Sequence, residues 1–313
     1  MKRTVLALSA IFILLGSAAF AFQMRSGYYV GSGVSRSIII ENGFQPDLVI
    51  VKADTAAGEP VWRSSAMSGD STAYFASAAA NTTNAITSLN SNGFSLGTMA
   101  VVNSANVRYT WTAFSGSGGS DFKVGSYTGN GVDNTNLDIL SFQPDILWIK
   151  SSGASTGCWR TSALGASDLT LFFSAANQAA DYIQAFRPSG FQVGTNASVN
   201  SNTVTYYYVA FKNITGSATA GTYMGDGTDN RDITGLGFKP DLVFLKQGIS
   251  GTARVGVMRN NQNYGDETHY FSATANALNF VQSLEADGFQ IGSDAIVNTS
   301  GTREYFAAFA GVG

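Results

Sequence analysis

The 313-residue chain has a formal net charge of −3, with 12% of its residues charged and 12% aromatic. That balance excludes a disordered chain, which needs few aromatics and high net charge. It leaves no basic face for nucleic acid and no polybasic patch for anionic lipid, and the length suits two or three domains.

In chain order, Lys2 and Arg3 precede an apolar run from Val5 to Leu15, and Ala19-Phe20-Ala21 follows as an A-x-A site. This pattern predicts a signal peptide over 1–21, cleaved after Ala21 and bacterial in style. The run is shorter than the ~20 apolar residues a spanning helix needs, and no second run of that length follows. The mature chain is therefore expected to be secreted or held at a cell surface, with no membrane span. The single cysteine, Cys158, cannot form an internal disulfide and is expected to be a buried small hydrophobe.

Past the signal peptide the sequence repeats itself. Gly43-Phe44-Gln45-Pro46-Asp47, with the apolar run to Lys52, returns at Pro144-Asp145 and Lys150 and again at Pro240-Asp241 and Lys246. A second block, Gly93-Phe94, returns as Gly190-Phe191 and Gly288-Phe289. An asparagine follows each time (Asn103, Asn200, Asn298), and each copy closes on Ala-Phe at Phe114, Phe211 and Phe309. These landmarks divide the mature chain into copies over 22–116, 117–215 and 216–313. The joins, Ser115–Ser120 and Asn213–Ala218, are small and polar as flexible linkers are.

Within a copy, Leu48–Lys52 and its equivalents are apolar on both faces, which predicts a strand covered on both sides. Tyr74-Phe75, Phe172-Phe173 and Tyr270-Phe271 mark a further strand. In the last strand of copy two, Tyr206, Tyr208 and Ala210 point one way while Tyr207, Val209 and Phe211 point the other, and both sets are apolar. Leu278, Val281 and Leu284 recur at helical spacing before Gly288, which predicts a short helix C-capped by that glycine. Ala180–Phe186, stopped by Pro188, predicts the same in copy two. The fold class is mainly β: three tandem antiparallel β-sandwiches with jelly-roll-like connections, each with one short helix.

The Pro-Asp block, the Asn/Asp-Gly-Phe block, the asparagine and the aromatic Ala-Phe strand resemble a repeat module of phage tail-fibre-type and related bacterial surface proteins. The resemblance covers all three copies. It implies a structural or receptor-facing module and no reaction. This chain departs from such fibres in having no tail-attachment or coiled-coil region, which favours an exported surface or matrix protein.

The chemistry-bearing residues are few. His269 is the only histidine, and Ala73 and Leu171 stand at its equivalents, so it is not expected to be a shared base. Asp47, Asp145 and Asp241 are expected to make local turn bonds, and Lys52, Lys150 and Lys246 to be solvated edge charges. Asp226, Asp229, Asn230 and Asp232 cluster around glycine and offer a weak calcium site beside the plain hairpin reading; no other cofactor is expected. Trp62-Arg63 and Trp159-Arg160 share a position, opposite Val255-Gly256 in copy three, and offer a surface for stacking on sugar or protein. The four glycosylation sequons matter only in a eukaryotic secretory path.

Three functions follow: a non-catalytic structural or assembly protein of a surface, appendage or matrix, partnered by copies of itself or other surface proteins; a glycan- or receptor-binding array; and, weakest, a glycoside-active enzyme.

Overall fold

The computed structural model describes residues 22–248 and 252–311, so the signal-peptide segment 1–21 lies outside them. Three tandem β-sandwich modules are present, each with the same two antiparallel sheets. In the first, the large sheet runs in the order Gln23–Val30, Arg108–Ser115, Leu48–Ala53, Val61–Ser64, Ala73–Tyr74; the small sheet runs Arg36–Ile39, Gly93–Leu96, Ile86–Asn90. The second module repeats this with Phe122–Thr128, Thr205–Phe211, Ile146–Ser151, Cys158–Thr161, Leu171–Phe172 over Thr135–Leu137, Gly190–Val193, Ile183–Arg187. The third repeats it with Ala218–Met224, Arg303–Phe309, Leu242–Gln247, Val257–Asn260, His269–Tyr270 over Arg231–Thr234, Gly288–Ile291, Val281–Glu285.

Each module has its own core between its two sheets. A fourth core is shared. It is built from the outer faces of all three large sheets, so those sheets are buried on both sides. The doubly apolar strands divide as their alternation requires: Tyr206, Tyr208 and Ala210 enter the second module's core, while Tyr207, Val209 and Phe211 enter the shared one. The modules therefore close around a common axis rather than lying in a row.

Two triangles of equivalent phenylalanines mark that axis. Phe75, Phe173 and Phe271 lie with ring centroids 4.8, 5.0 and 4.6 Å apart. Phe114, Phe211 and Phe309 lie 5.3, 5.6 and 4.8 Å apart. Aromatic pairs at such spacings add to the area they bury. Phe22, the residue after the expected cleavage point, packs on the second triangle, 5.4 Å from Phe211.

The expected helix is a strand. Residues 281–285, 183–187 and 86–90 each form the outer strand of a hairpin, and each carries a β-bulge. The bulge inserts one residue, so Val281 opposes Ile291 and Leu284 opposes Phe289. A spacing of two on one strand becomes three on the other, which imitates helical periodicity. Gly288 is no C-cap: it pairs with Glu285, and a Cβ there would fall 1.9 Å from the Ile233 carbonyl oxygen. The short helices that do occur, Ala100–Asn103, Ala197–Asn200 and Ala295–Asn298, end on the repeated asparagine.

That asparagine is a buried staple. Asn200 Nδ2 donates to the Val132 and Gly194 carbonyls, both at 2.8 Å, and its Oδ1 accepts from Asn130 N at 2.9 Å. Asn103 and Asn298 make the same bonds in their own modules. A second shared device is a bare glycine on the first strand. Gly27, Gly125 and Gly221 pair in register with Trp111, Tyr208 and Phe306, and a Cβ at each would strike the opposite ring at 2.4, 2.4 and 2.3 Å. The ring lies over the glycine, as in the aromatic rescue of edge glycines.

The joins are pinned, which corrects the expectation of flexible linkers. Asp47 Oδ2 accepts from the backbone N–H groups of Gly116 and Ser117, both at 2.9 Å. Asp145 accepts from Asn213 N at 2.8 Å, and Asp241 from Gly311 N at 2.7 Å. The repeated aspartates thus tie the start of an inner strand to the segment leaving the module, about seventy residues later, instead of making a local turn.

Phe173→Ala should cost about 3–5 kcal/mol and lower the midpoint of one cooperative transition for the whole chain, measured by urea unfolding with two probes. Residues 22–116 expressed alone should fail to form a soluble folded module, because one face of the large sheet loses its cover; a well-dispersed NMR spectrum from that fragment would contradict the shared core. Asn200→Ala should cost about 3 kcal/mol, since it strands buried carbonyls.

Candidate functional site

The Trp-Arg pairs are in the core and cannot form a stacking surface. Trp62 is 1% exposed and Trp159 is fully buried, both in the shared core, and Arg63 and Arg160 are buried beside them. The strand register also moves the copy-three equivalent from Val255-Gly256 to Met258-Arg259, since Val61, Cys158 and Val257 each open the same strand. The arginine therefore recurs in all three copies. Arg63 donates to the carbonyls of Met67, Gly69 and Ser71; Arg160 to those of Gly165, Ser167, Leu169 and Ile183; Arg259 to those of Gly265 and Glu267. Each guanidinium is a five-donor fork that satisfies the carbonyls of one loop.

The repeated lysines are buried too, contrary to the expectation of edge charges. Lys52, Lys150 and Lys246 share a strand face with the axial residues, and burial holds each ammonium down at about 8. Two of them reach across to another module: Lys52 Nζ donates to the Thr274 carbonyl at 3.2 Å and Lys150 Nζ to that of Ala79 at 2.9 Å. Cys158 is buried, and burial pushes its thiol well up.

The proposed calcium ligands do not converge. Asp226 accepts from the Thr228 N–H and hydroxyl and pairs with Arg231; Asp229 accepts from Gln282 and Asn230; Asp232 accepts from Gln290. Their oxygens belong to a hairpin turn, and no group of three His, Cys, Asp or Glu side chains among the described residues is placed to hold a metal.

Where the copies differ, polar chemistry gathers on two places. The first is the seam between the first and third modules. The other two seams are bridged by backbone bonds, Gly157 N to the Phe75 carbonyl and Gly256 N to the Phe173 carbonyl, both at 3.0 Å. Pro60 holds the equivalent position at the closing seam and has no N–H to give. Side chains bridge it instead. Asp54 of the first module lies 2.9 Å from His269 Nε2 of the third and forms an ion pair with Arg108. Asn276 donates to the Asp54 carbonyl and carboxylate at 2.8 and 2.9 Å. Burial raises the Asp54 carboxyl while His269 and Arg108 lower it, and it ends below its ordinary value. Burial takes His269 down to about 4 against the pull of Asp54. The ring sits in packing rather than in a pocket, with the Asp54 carboxylate and the Asn263 side-chain amide both against its Nε2, at 2.9 and 2.8 Å.

Beside this seam, at the open edge of the first module's sandwich, runs a groove of about 490 Å³ that the third module reaches at Gln262. Trp111 lies in its floor, and Tyr28 and Ile39 stand exposed on its rim. Arg25, Glu41 and Asn42 come from the first module and Gln262 from the third. The third module has the same groove at about 370 Å³, with Thr222 in place of Tyr28 and Phe306 in place of Trp111. No motif marked this groove in the sequence; the signal was Gly27 opposite Trp111, which spacing alone could not pair. The second place is an axial depression of about 350 Å³, beyond the Phe75–Phe173–Phe271 triangle. All three copies line it with small residues such as Ser77, Ser174 and Ser272. Glu59 is its only ionisable residue, accepting from the Ala76 and Ser77 N–H groups, with its carboxyl raised by burial.

A family model described as a domain of unknown function (DUF7483) matches residues 22–121 and again residues 117–222, the first two modules. No curated protein matches the chain.

The contribution of His269 to stability should be lost on acidification between pH 6.5 and about 4, because the unfolded chain protonates its histidine in that window while the buried ring resists. Asp54 adds the same sign below its ordinary value. Glu304 opposes both, since burial raises it to about 8 and its contribution fades as pH rises from 4.5. His269→Leu, the residue found at 171, isolates the effect: acid should cost the unsubstituted protein more than the variant, by the order of a few kcal/mol, read from urea midpoints at a series of pH values.

Proposed function

The chain belongs to the DUF7483 family, and we propose that it is an exported, non-catalytic structural protein of a cell surface, appendage or extracellular matrix, acting as one rigid three-lobed unit. The observation that carries this reading is the shared core. Three copies of one fold spend the outer faces of their large sheets on each other, which suits mechanical persistence outside the cell, where no disulfide is available to this chain.

Further support comes from the groups that could do chemistry. His269, two of the three lysines and the repeated aspartates are engaged in holding modules or joins together. Phe22 packs on the axis, which agrees with a mature chain starting there after signal cleavage. The tail-fibre-type resemblance agrees with a unit that stands at a surface and meets other subunits. Attachment would fall on loops, hairpin tips, the open sandwich edges and the outer faces of the small sheets, since both faces of each large sheet are covered.

Fractionation of the host with N-terminal sequencing tests export, and negative-stain electron microscopy of the purified 22–313 chain tests assembly. An extracytoplasmic protein beginning at Phe22 that forms regular oligomers is the expected result. A cytoplasmic protein retaining Met1, or a strict monomer at all concentrations, would remove the proposal.

A further inference from the structure

The groove at the closing seam differs from its counterpart in the third module by features that point to a ligand. We propose that it is a binding site for a neutral oligosaccharide, with Tyr28 as the stacking platform. This goes beyond the structural role and would stand without it.

Tyr28 and Tyr264 are each 58% exposed, and the Arg108 guanidinium lies between them, 4.3 and 4.1 Å from their ring centroids. Arg108 is itself fixed by Asp54 and by its bond to the Gln262 carbonyl at 2.9 Å. Tyr28, on the rim of the groove, is thus held by Arg108, with Tyr264 against the same guanidinium, which lowers the entropy lost when a ligand stacks on Tyr28. A tyrosine offers a flat apolar face with a polar edge, matching the apolar face and hydroxyl rim of a pyranose.

The lining supplies the other half of that match. Arg25 and Glu41 are one positive and one negative group, and Asn42 and Gln262 are neutral amides. The balance favours an uncharged ligand rich in hydroxyls over an anion or a cation. The volume of about 490 Å³ lies in the range of small-molecule sites. Gln262 from the third module completes the lining only when the seam is closed.

A second observation points the same way. Trp111 is 6% exposed, and its indole Nε1 is buried with no hydrogen-bond partner. Trp148 and Trp159 also carry unpartnered indole nitrogens, but they lie inside the shared core. Trp111 alone among the three lines a groove. Buried N–H groups are nearly always paired; this one lies against Gly27 on the groove wall, so its resonance reports a ligand bound there. The third module's groove has Phe306 at this position, with no donor to satisfy, and Thr222 where the platform stands.

The test is a titration of the intact 22–313 chain with neutral hexasaccharides: cellohexaose, xylohexaose, chitohexaose, laminarihexaose and maltohexaose. The readout is the set of four indole N–H resonances, that of Trp111 identified by its loss in Trp111→Phe. At least one sugar should move the Trp111 signal while leaving those of Trp62, Trp148 and Trp159 in place, which also reports that the fold is intact. Tyr28→Ala should weaken that binding about tenfold or more, and Gln262→Ala should weaken it less; Thr222→Ala, in the other groove, should leave it unchanged. The proposal is overturned if no sugar of the panel moves the Trp111 signal, or if Tyr28→Ala binds as well as the unsubstituted chain. It is overturned equally if an extended peptide moves the signal where all the sugars fail, since the open strand edges would then be capturing a strand.

Discussion

The meeting of Phe75, Phe173 and Phe271 on one axis is the contact on which the rest of the molecule depends. A single module leaves one face of its five-stranded sheet apolar, and no small domain of this charge content could keep such a face in water. Threefold closure covers three such faces at once and leaves none over. The short joins follow from it, because the exit of one module must deliver the chain to the next one's first strand beside the axis. The repeated aspartates hold that exit in place. The buried lysines follow too. They sit on strand positions that alternation assigns to the axial face, and their ammonium groups survive there by bonding loop carbonyls, two of them across module boundaries. Taking such charges out of water is costly unless the donors are satisfied.

The strands were legible in the sequence because a β-period of two is visible wherever both faces are apolar. The last strand of copy two could be divided residue by residue between two cores, and the structure fills both. Its second core was legible only as a face needing cover; nothing in a linear repeat says whether copies stack in a row or close on themselves. The bulged hairpin was misassigned for a definite physical reason. An extra residue between Val281 and Ser283 turns strand periodicity into a three-residue interval, and a three-residue interval before a glycine is what a helix end looks like.

The arginines and lysines were misassigned for another reason. A charged residue beside a tryptophan suggests a surface because most charges are solvated. Here the compensating partners are backbone carbonyls of loops, such as Met67, Gly69 and Ser71 around Arg63. Carbonyls have no sequence signature. The buried asparagines were visible as a repeat but not as staples, for the same reason.

Repetition also explains where function can reside. Positions equivalent in all three copies hold the fold, so their chemistry is committed to strands, turns and joins. The departures from equivalence are more informative, and several of them meet at one seam. Pro60 removes a backbone bond that the other seams keep; His269 replaces Ala73 and Leu171; Trp111 and Tyr28 replace Phe306 and Thr222. This seam joins the first module to the last, and no covalent join crosses it. Side-chain bonds must hold what the chain itself holds elsewhere, through Asp54, His269, Asn276 and Arg108. A polar network buried to close the ring fixes Arg108, and Arg108 in turn fixes the two exposed tyrosines. The distinctive surface of the molecule is thus a consequence of how the ring is closed, and a change that loosened the closure would disorder that surface before it unfolded the modules.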